Sequence, residues 1–341
     1  MPTTLPHLTG LRGAAALLVM VYHYSKIIPG VDVRGEVGLI GHGYLMVDLF
    51  FALSGVVMAH VYGERLSTRF RATLLPYLWA RVAKLWPVVA CSLVLAIAIK
   101  IPAIVAGVRT VGTYRDFLLG FVFLGGWDWN GPLWSVVVEF WVYPLLGAIL
   151  LAWRAPVAIQ ILIAAGLLAW PSVAQYFGVD AAAYRGADAY LRCLAGFSFG
   201  VIGYGLMTRY ASIRNALASP AALGILAIFI LYTMQFWHVM GATVAALYLF
   251  TLGSAWATTR AMALFESRPM LWLGNISFML YAIHEPVKML CLGLGRQLIS
   301  RDPLQVALLL TVAAGVSLFL SDVLRRRVEI PAHARLRRLW S

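Results

Sequence analysis

The amino-acid sequence predicts an all-α integral membrane protein: about ten transmembrane helices in one bundle, with both termini on the cytoplasmic side. Three observations carry this. The chain is 62% hydrophobic and only 12% charged, with a mean hydropathy of +0.83, whereas a soluble domain holds about 25% charged residues. Apolar stretches of membrane-spanning length recur from residue 10 to residue 325. Lysine and arginine divide unevenly between alternate connections, which sets an orientation. The chain, 1–341, therefore reads as a single membrane domain with no separate soluble domain.

In order, the spans fall near 10–28, 44–62, 84–107, 133–152, 156–174, 190–207, 219–236, 239–257, 270–294 and 303–324. The first begins like a signal peptide, with Arg12 ahead of small apolar residues. Its apolar run continues to Ile28 without a small-x-small cleavage site, so it is read as a retained span. A hydrophobic piece at 115–126 is too short to cross and is read as re-entrant or interfacial. Pro29-Gly30, Gly131-Pro132, Ser219-Pro220 and Arg268-Pro269 stand between spans, where turns belong. With the N-terminus inside, the inner connections carry sixteen cations: Arg65, Arg69, Arg71, Arg81, Lys84, Arg154, Arg209, Arg214, Arg260, Arg268 and the tail arginines 325, 326, 327, 335, 337 and 338. The outer ones carry eight: Lys26, Arg34, Lys100, Arg109, Arg115, Arg185, Arg296 and Arg301. That two-to-one bias gives N-in, C-in. The tail arginines also suit contact with membrane lipid headgroups.

The net charge of +13 does not point to nucleic acid, because the cations sit at span ends rather than on one soluble face. Cys91, Cys193 and Cys291 lie in apolar segments, which argues against a disulfide framework or a zinc site, and no metal is expected. Inverted repeats of the transporter kind are not evident.

Chemistry gathers at a few polar residues inside the spans. Arg12 and His23 are eleven residues apart, three helical turns, so they project within about 20° of each other and stand roughly 16 to 17 Å apart along the axis. An ionisable residue at the centre of a membrane helix costs roughly 2.5 to 3.5 kcal/mol, so two on one face describe a polar path. Taken alone, Arg12 reads as a snorkelling anchor and His23 as a packing residue. Asp48 opens the second span and should face the bundle or an outer vestibule; Ser54 and Gly55 permit close helix approach. Arg81 and Lys84, three apart, suit a phosphate-rich ligand as well as positive-inside anchoring. Glu139 lies a full turn inside the fourth span and shares a face with Tyr143. In the ninth, Ser277, Tyr281, His284 and Lys288 form one polar stripe, readable as a packing seam or as a site. His238 reads as interfacial, and His7, His42, His60 and His333 carry no special reading.

Five segments together resemble the acyltransferase-3 family of membrane proteins. They are Gly10-Leu-Arg12-Gly with its eleven-residue spacing to His23, Val47-Asp-Leu-Phe-Phe-Ala-Leu-Ser-Gly55, Arg81 through Pro87, Leu133-Trp-Ser-Val-Val-Val-Glu139, and Ile276-Ser-Phe-Met-Leu-Tyr-Ala-Ile-His284-Glu-Pro286. They span nearly the whole chain in the family's order. Lys84 stands where a second arginine is common, and Phe140 where the family often has a second acid, leaving Glu139 as that segment's carboxylate. The resemblance implies a multi-pass enzyme of the bacterial inner membrane. It would move an acyl group, acetyl or another short one, from cytoplasmic acyl-CoA to a hydroxyl of a saccharide or glycoside on the far side. Acetyl-CoA is the expected co-substrate. Carried over, Arg12, Arg81 and Lys84 hold the nucleotide phosphates, the pantetheine arm lies along the first helix, and His23 is the general base. An acyl-histidine intermediate is the other route. Glu139 or Asp48 would orient the imidazole; Ser54, Tyr143, Ser277, Tyr281 or His284 would face substrate or the developing oxyanion. Some relatives continue into a hydrolase-like domain; the expectation here is a stand-alone enzyme.

Two other classes use the same residues. A transporter or flippase for an envelope glycan or lipid precursor explains the buried His and Glu but not the basic pair at 81 and 84. A catalytically silent scaffold subunit does not explain Arg12, His23 and Glu139 together. Acyl length, acceptor identity and oligomeric state are not encoded in these motifs.

Overall fold

The computed structural model describes residues 5–25, 33–105, 107, 113–178, 184–236, 239–257, 260–295 and 302–339. Lys26, Ile28, Pro29-Gly30, Arg109, His238, Arg296 and Arg301, singled out above, lie outside the described residues, as do the side chains of Arg34 and Arg260. Among the described residues every regular element is helical. The helices that matter here are α1 (Pro6–Ser25), α2 (Met46–Thr68), α3 (Phe70–Val105), α4 (Tyr114–Gly120), α5 (Leu133–Val142), α6 (Val157–Tyr176), α7 (Gly186–Arg209), α8 (Pro220–Gln235), α9 (Met240–Ser254), α10 (Arg268–Gly295), α11 (Pro303–Leu324) and α12 (Ile330–Arg338).

Helical backbone is what an apolar chain must adopt, since each N–H and C=O is then satisfied within its own segment. The hydroxyls on these helices do the same. Thr208, Thr243, Thr251, Thr311 and Ser321 each donate to the carbonyl four residues back, at 2.6–2.9 Å. Starts are set by local caps: Ser219 accepts from the Ala222 N–H ahead of α8, and Asp302 from that of Gln305 ahead of α11, each followed by proline at the first helical position.

Among the described residues six helices are long and apolar enough to cross a membrane, and seven if Ala211–Leu217 and Pro220–Gln235, bent by 51°, form one span. Ten were expected. α1 and α10 are long enough, but Arg12 and His23 on one, and His284, Glu285 and Lys288 on the other, lower their hydropathy; α9 has only 15 residues. Two boundaries also differ. The third span, expected over 84–107, belongs to a 36-residue helix that begins at Phe70, about 54 Å long at 1.5 Å per residue. The fourth is a straight α-helix only to Val142; Pro144 forces a 3₁₀ turn over Tyr143–Leu145. The 115–126 piece forms the seven-residue α4, capped by Thr113, followed by a turn with Phe123 and Gly126 at positive φ.

The chain divides into two compact units. One comprises Met1–Ala15, His42–Leu78 and Val138–Gly274; the other comprises Ala16–Gly41, Trp79–Val137 and Asn275–Ser341. In the first, α2 and α7 cross with backbones in contact: a Cβ on Gly55 would overlap the Phe197 carbonyl, and one on Gly200 the Ala52 carbonyl. The close approach expected at Ser54-Gly55 is therefore present. The start of α1 meets the start of α10 in the same way, with Gly13 against Gly274 and Gly10 against Phe265. At the arginine-rich end of this unit, Arg154 donates to the Ser67 carbonyl (2.7 Å) and Arg209 to that of Trp153. Trp153 itself donates to Val201 O at 3.1 Å and fills the space left by Gly63 and Gly205.

In the second unit, α3 and α10 share a core of Val88, Met279, Ala282, Ile283 and Val287. The turn after α4 is tied by Asp116, which accepts from the N–H groups of Gly126 (2.9 Å) and Asp128 (3.3 Å), and by buried Lys100, which donates to Trp129 O at 3.1 Å.

Candidate active site

α1 ends with Tyr22-His23-Tyr24, and α10 presents Tyr281, His284, Glu285 and Lys288 on adjoining turns, within the second unit. Tyr24 is buried and donates to His284 O at 2.9 Å; its hydroxyl also pairs with Ser317 Oγ at 2.7 Å. Lys288 Nζ donates to His23 O at 3.2 Å. These bonds fix the end of α1 against α10, and the histidine side chains meet as a result.

The imidazoles of His23 and His284 lie 5.1 Å apart between centroids. His23 Nδ1 is 3.6 Å from Glu285 Oε2, and the other oxygen of that carboxylate is 2.7 Å from Lys288 Nζ. The first distance is an electrostatic contact rather than a hydrogen bond. The His23 side chain is 24% exposed, so the ring is reachable, whereas His284 is fully buried. His284 Nδ1 lies 3.1 Å from the Leu280 carbonyl. A carbonyl only accepts, so Nδ1 carries the proton and the neutral ring keeps its lone pair on Nε2. Among the described residues that Nε2 is buried without a hydrogen-bond partner. His284, expected as a donor to an oxyanion, is thus set up as an acceptor. His23, His284 and Glu285 each offer an atom within 4.8 Å of the others, so by donor type they could hold a metal ion, with Lys288 already on the carboxylate.

The carboxylate against His23 is therefore Glu285, which sequence reasoning passed over. Its signal was present: Glu285 and Lys288 are three apart on one helix, beside His284. Tyr281 pairs with Ser135 Oγ at 2.8 Å, Asn130 donates to Ala282 O at 2.7 Å, and Ser277 is buried on the same helix. The polar stripe on the ninth span is thus in part a packing seam.

Asp48, expected to orient His23, has another partner. Its two oxygens accept from Arg192 Nε (2.9 Å) and Nη2 (2.6 Å), with both side chains almost wholly buried. Arg192 was missed because it lies inside a span and so counted for neither side. Glu139, also in the first unit, has Oε1 buried. Tyr143 is buried among the rings of Tyr77 (6.2 Å) and Phe197 (5.9 Å), and Ser54 is half-buried. Arg12 donates to Gly274 O at 3.4 Å, among other interactions. Lys84 forms an ion pair with the buried Glu329, on the same unit as Arg81.

The family model described as an acyltransferase domain, of the acyltransferase-3 type, matches residues 5–326. "Protein 2 in picA locus" of Rhizobium radiobacter is 40% identical over 105 residues, which is 30% of this chain and 49% of that protein. The chain thus spans about half the length of that relative. No solved structure matches. With a match over almost its full length, the chain belongs to the acyltransferase-3 family of membrane acyltransferases.

Proposed function

We propose that the protein is an acyl-CoA-dependent O-acyltransferase of the bacterial inner membrane. It transfers a short acyl group, with acetyl-CoA as donor, to a hydroxyl of a saccharide or glycoside. The observation that carries this is the partly accessible His23 imidazole facing the Glu285 carboxylate. With Nδ1–H turned toward Glu285, His23 keeps Nε2 as a base.

In the reaction, the acceptor oxygen attacks the thioester carbonyl while His23 Nε2 takes its proton. Collapse of the tetrahedral intermediate breaks the C–S bond, and the imidazolium returns the proton to the leaving thiolate. Glu285 stabilises the imidazolium during that interval. Lys288 keeps Glu285 in place, and His284, as an acceptor, suits a hydrogen bond from an incoming hydroxyl. Arg12, three turns back on α1, and Arg81 and Lys84 are assigned to the phosphates. An N-in orientation, which the lysine and arginine bias supports, sets them on the side where the donor is made.

The test is acceptor acylation by His23→Ala in membranes. The variant should insert normally and lose transfer by at least about 10²-fold, the lower range for a general base. Transfer at the wild-type rate would exclude this mechanism. Movement of a glycan or lipid across liposomes without any acyl donor would favour the transporter reading.

A further inference from the structure

A buried lone pair needs a partner, and α10 carries two that lack one on successive residues. Among the described residues, His284 Nε2 and Glu285 Oε2 are buried without a hydrogen-bond donor. Both are acceptors, so neither satisfies the other. The remainder of each group is already committed. His284 Nδ1–H points to the Leu280 carbonyl at 3.1 Å, and Glu285 Oε1 accepts from Lys288 Nζ at 2.7 Å. Lys288 is in turn held on the His23 carbonyl at 3.2 Å. From α1, His23 adds the third group: it, His284 and Glu285 each bring an atom within 4.8 Å of the other two. Lone pairs converging on one point call for a cation.

We propose that His23, His284 and Glu285 form a binding site for a divalent transition metal of the zinc type. Two imidazoles and a carboxylate are a set that zinc accepts as three protein ligands, with one position left open. Magnesium and calcium favour oxygen throughout. The spacing suits the smaller ion: two ligands about 2.1 Å from a tetrahedral zinc stand roughly 3.4 Å apart, and His23 Nδ1 lies 3.6 Å from Glu285 Oε2. The outer partners are in place as well. A metal-binding histidine is oriented by a carbonyl on its other ring nitrogen, as His284 is by Leu280, and Lys288 steadies the carboxylate. That ammonium also repels the ion and leaves it one carboxylate oxygen, which weakens binding and makes it reversible. The partly exposed His23 side chain gives the way in. No metal is expected from the cysteines; these ligands come from α1 and α10, which only the fold brings together. A neutral imidazole has one lone pair. Metal on His23 takes the pair that would receive the acceptor's proton, so the ion inhibits transfer. That consequence rests on the function proposed above; metal binding does not.

The test strips the full-length protein of metal in detergent, removes the chelator and titrates zinc against an indicator of free zinc. One equivalent should bind saturably. His23→Ala and His284→Ala should each weaken binding by about a hundredfold or more, since outer partners alone are worth about 10- to 100-fold. His60→Ala, in the other unit, should change nothing. His23→Ala alters a partly exposed position and keeps the test decisive if the buried His284 variant does not fold. Cobalt gives a second readout: the visible bands of a four-coordinate ion, absent from both variants. No saturable binding, or binding that neither variant weakens, overturns the site and leaves the general-base reading untouched. Zinc at about ten times its dissociation constant should leave roughly a tenth of the acylation rate, restored by EDTA. Zinc bound as described with transfer at full rate upholds the site and refutes His23 as the base. Transfer lost on chelation and regained with zinc upholds the site but overturns its inhibitory role.

Discussion

Asp48 and Arg192 offer a decision between a catalytic and a structural carboxylate. Two short charge-assisted hydrogen bonds, 2.9 and 2.6 Å, join groups that are almost fully buried. Arg192→Leu leaves the Asp48 anion among apolar neighbours. Breaking a buried pair from one side costs about 3 to 5 kcal/mol, roughly two to three and a half powers of ten in the folding equilibrium. Asp48→Leu exposes the converse problem and should cost a similar amount. The double variant removes both desolvation penalties, so it should recover most of the loss, with a coupling energy of about 2 kcal/mol or more. Reversible unfolding in mixed micelles, monitored by tryptophan fluorescence, gives the three differences. A double variant as unstable as the sum of the singles would refute the argument. So would a stable Asp48→Leu that had lost transfer, since the carboxylate would then belong to the chemistry.

Other outcomes rest on the same contacts. Glu285→Gln should lower the transfer rate about ten- to a hundredfold, with binding of an acyl-CoA analogue unchanged; equal loss in both would make Glu285 a binding residue. Tyr24→Phe removes hydrogen bonds to Ser317 and to the His284 carbonyl, and should cost about 1 to 3 kcal/mol in an unfolding titration because buried partners are left unsatisfied. Gly13→Ala forces a methyl into the Gly274 backbone; a stability loss of about 1 to 3 kcal/mol is expected, against near-neutrality for Gly293→Ala, which has open space around it.

Much of this was legible in the sequence because membrane proteins advertise the cost of polarity. His23, His284 and Lys288 stood out as expensive residues on apolar helices, and they do meet. Gly55 was readable as a contact point because small residues let membrane helices approach closely. What could not be read was pairing. Sequence spacing relates residues on one helix, and nothing in it matched Asp48 to Arg192, 144 positions away, or His23 to Glu285. Nor did composition disclose that Pro144 tightens its span or that α3 begins fourteen residues before the expected span. Hydropathy averages over a window and is blind to a single proline and to helix that continues beyond the apolar stretch.

The arginine-rich end of the first unit has a consequence for engineering. Positive charge beside a span is commonly treated as a movable label that tells the insertion machinery which way to thread the chain. Arg154 and Arg209 are also the partners of carbonyls that helix ends leave over, on Ser67 and Trp153. Moving those charges to the opposite connections would thus strip the helix ends while rewriting the address. Any attempt to invert this protein by charge relocation should begin with Arg65, Arg69 and Arg71 instead.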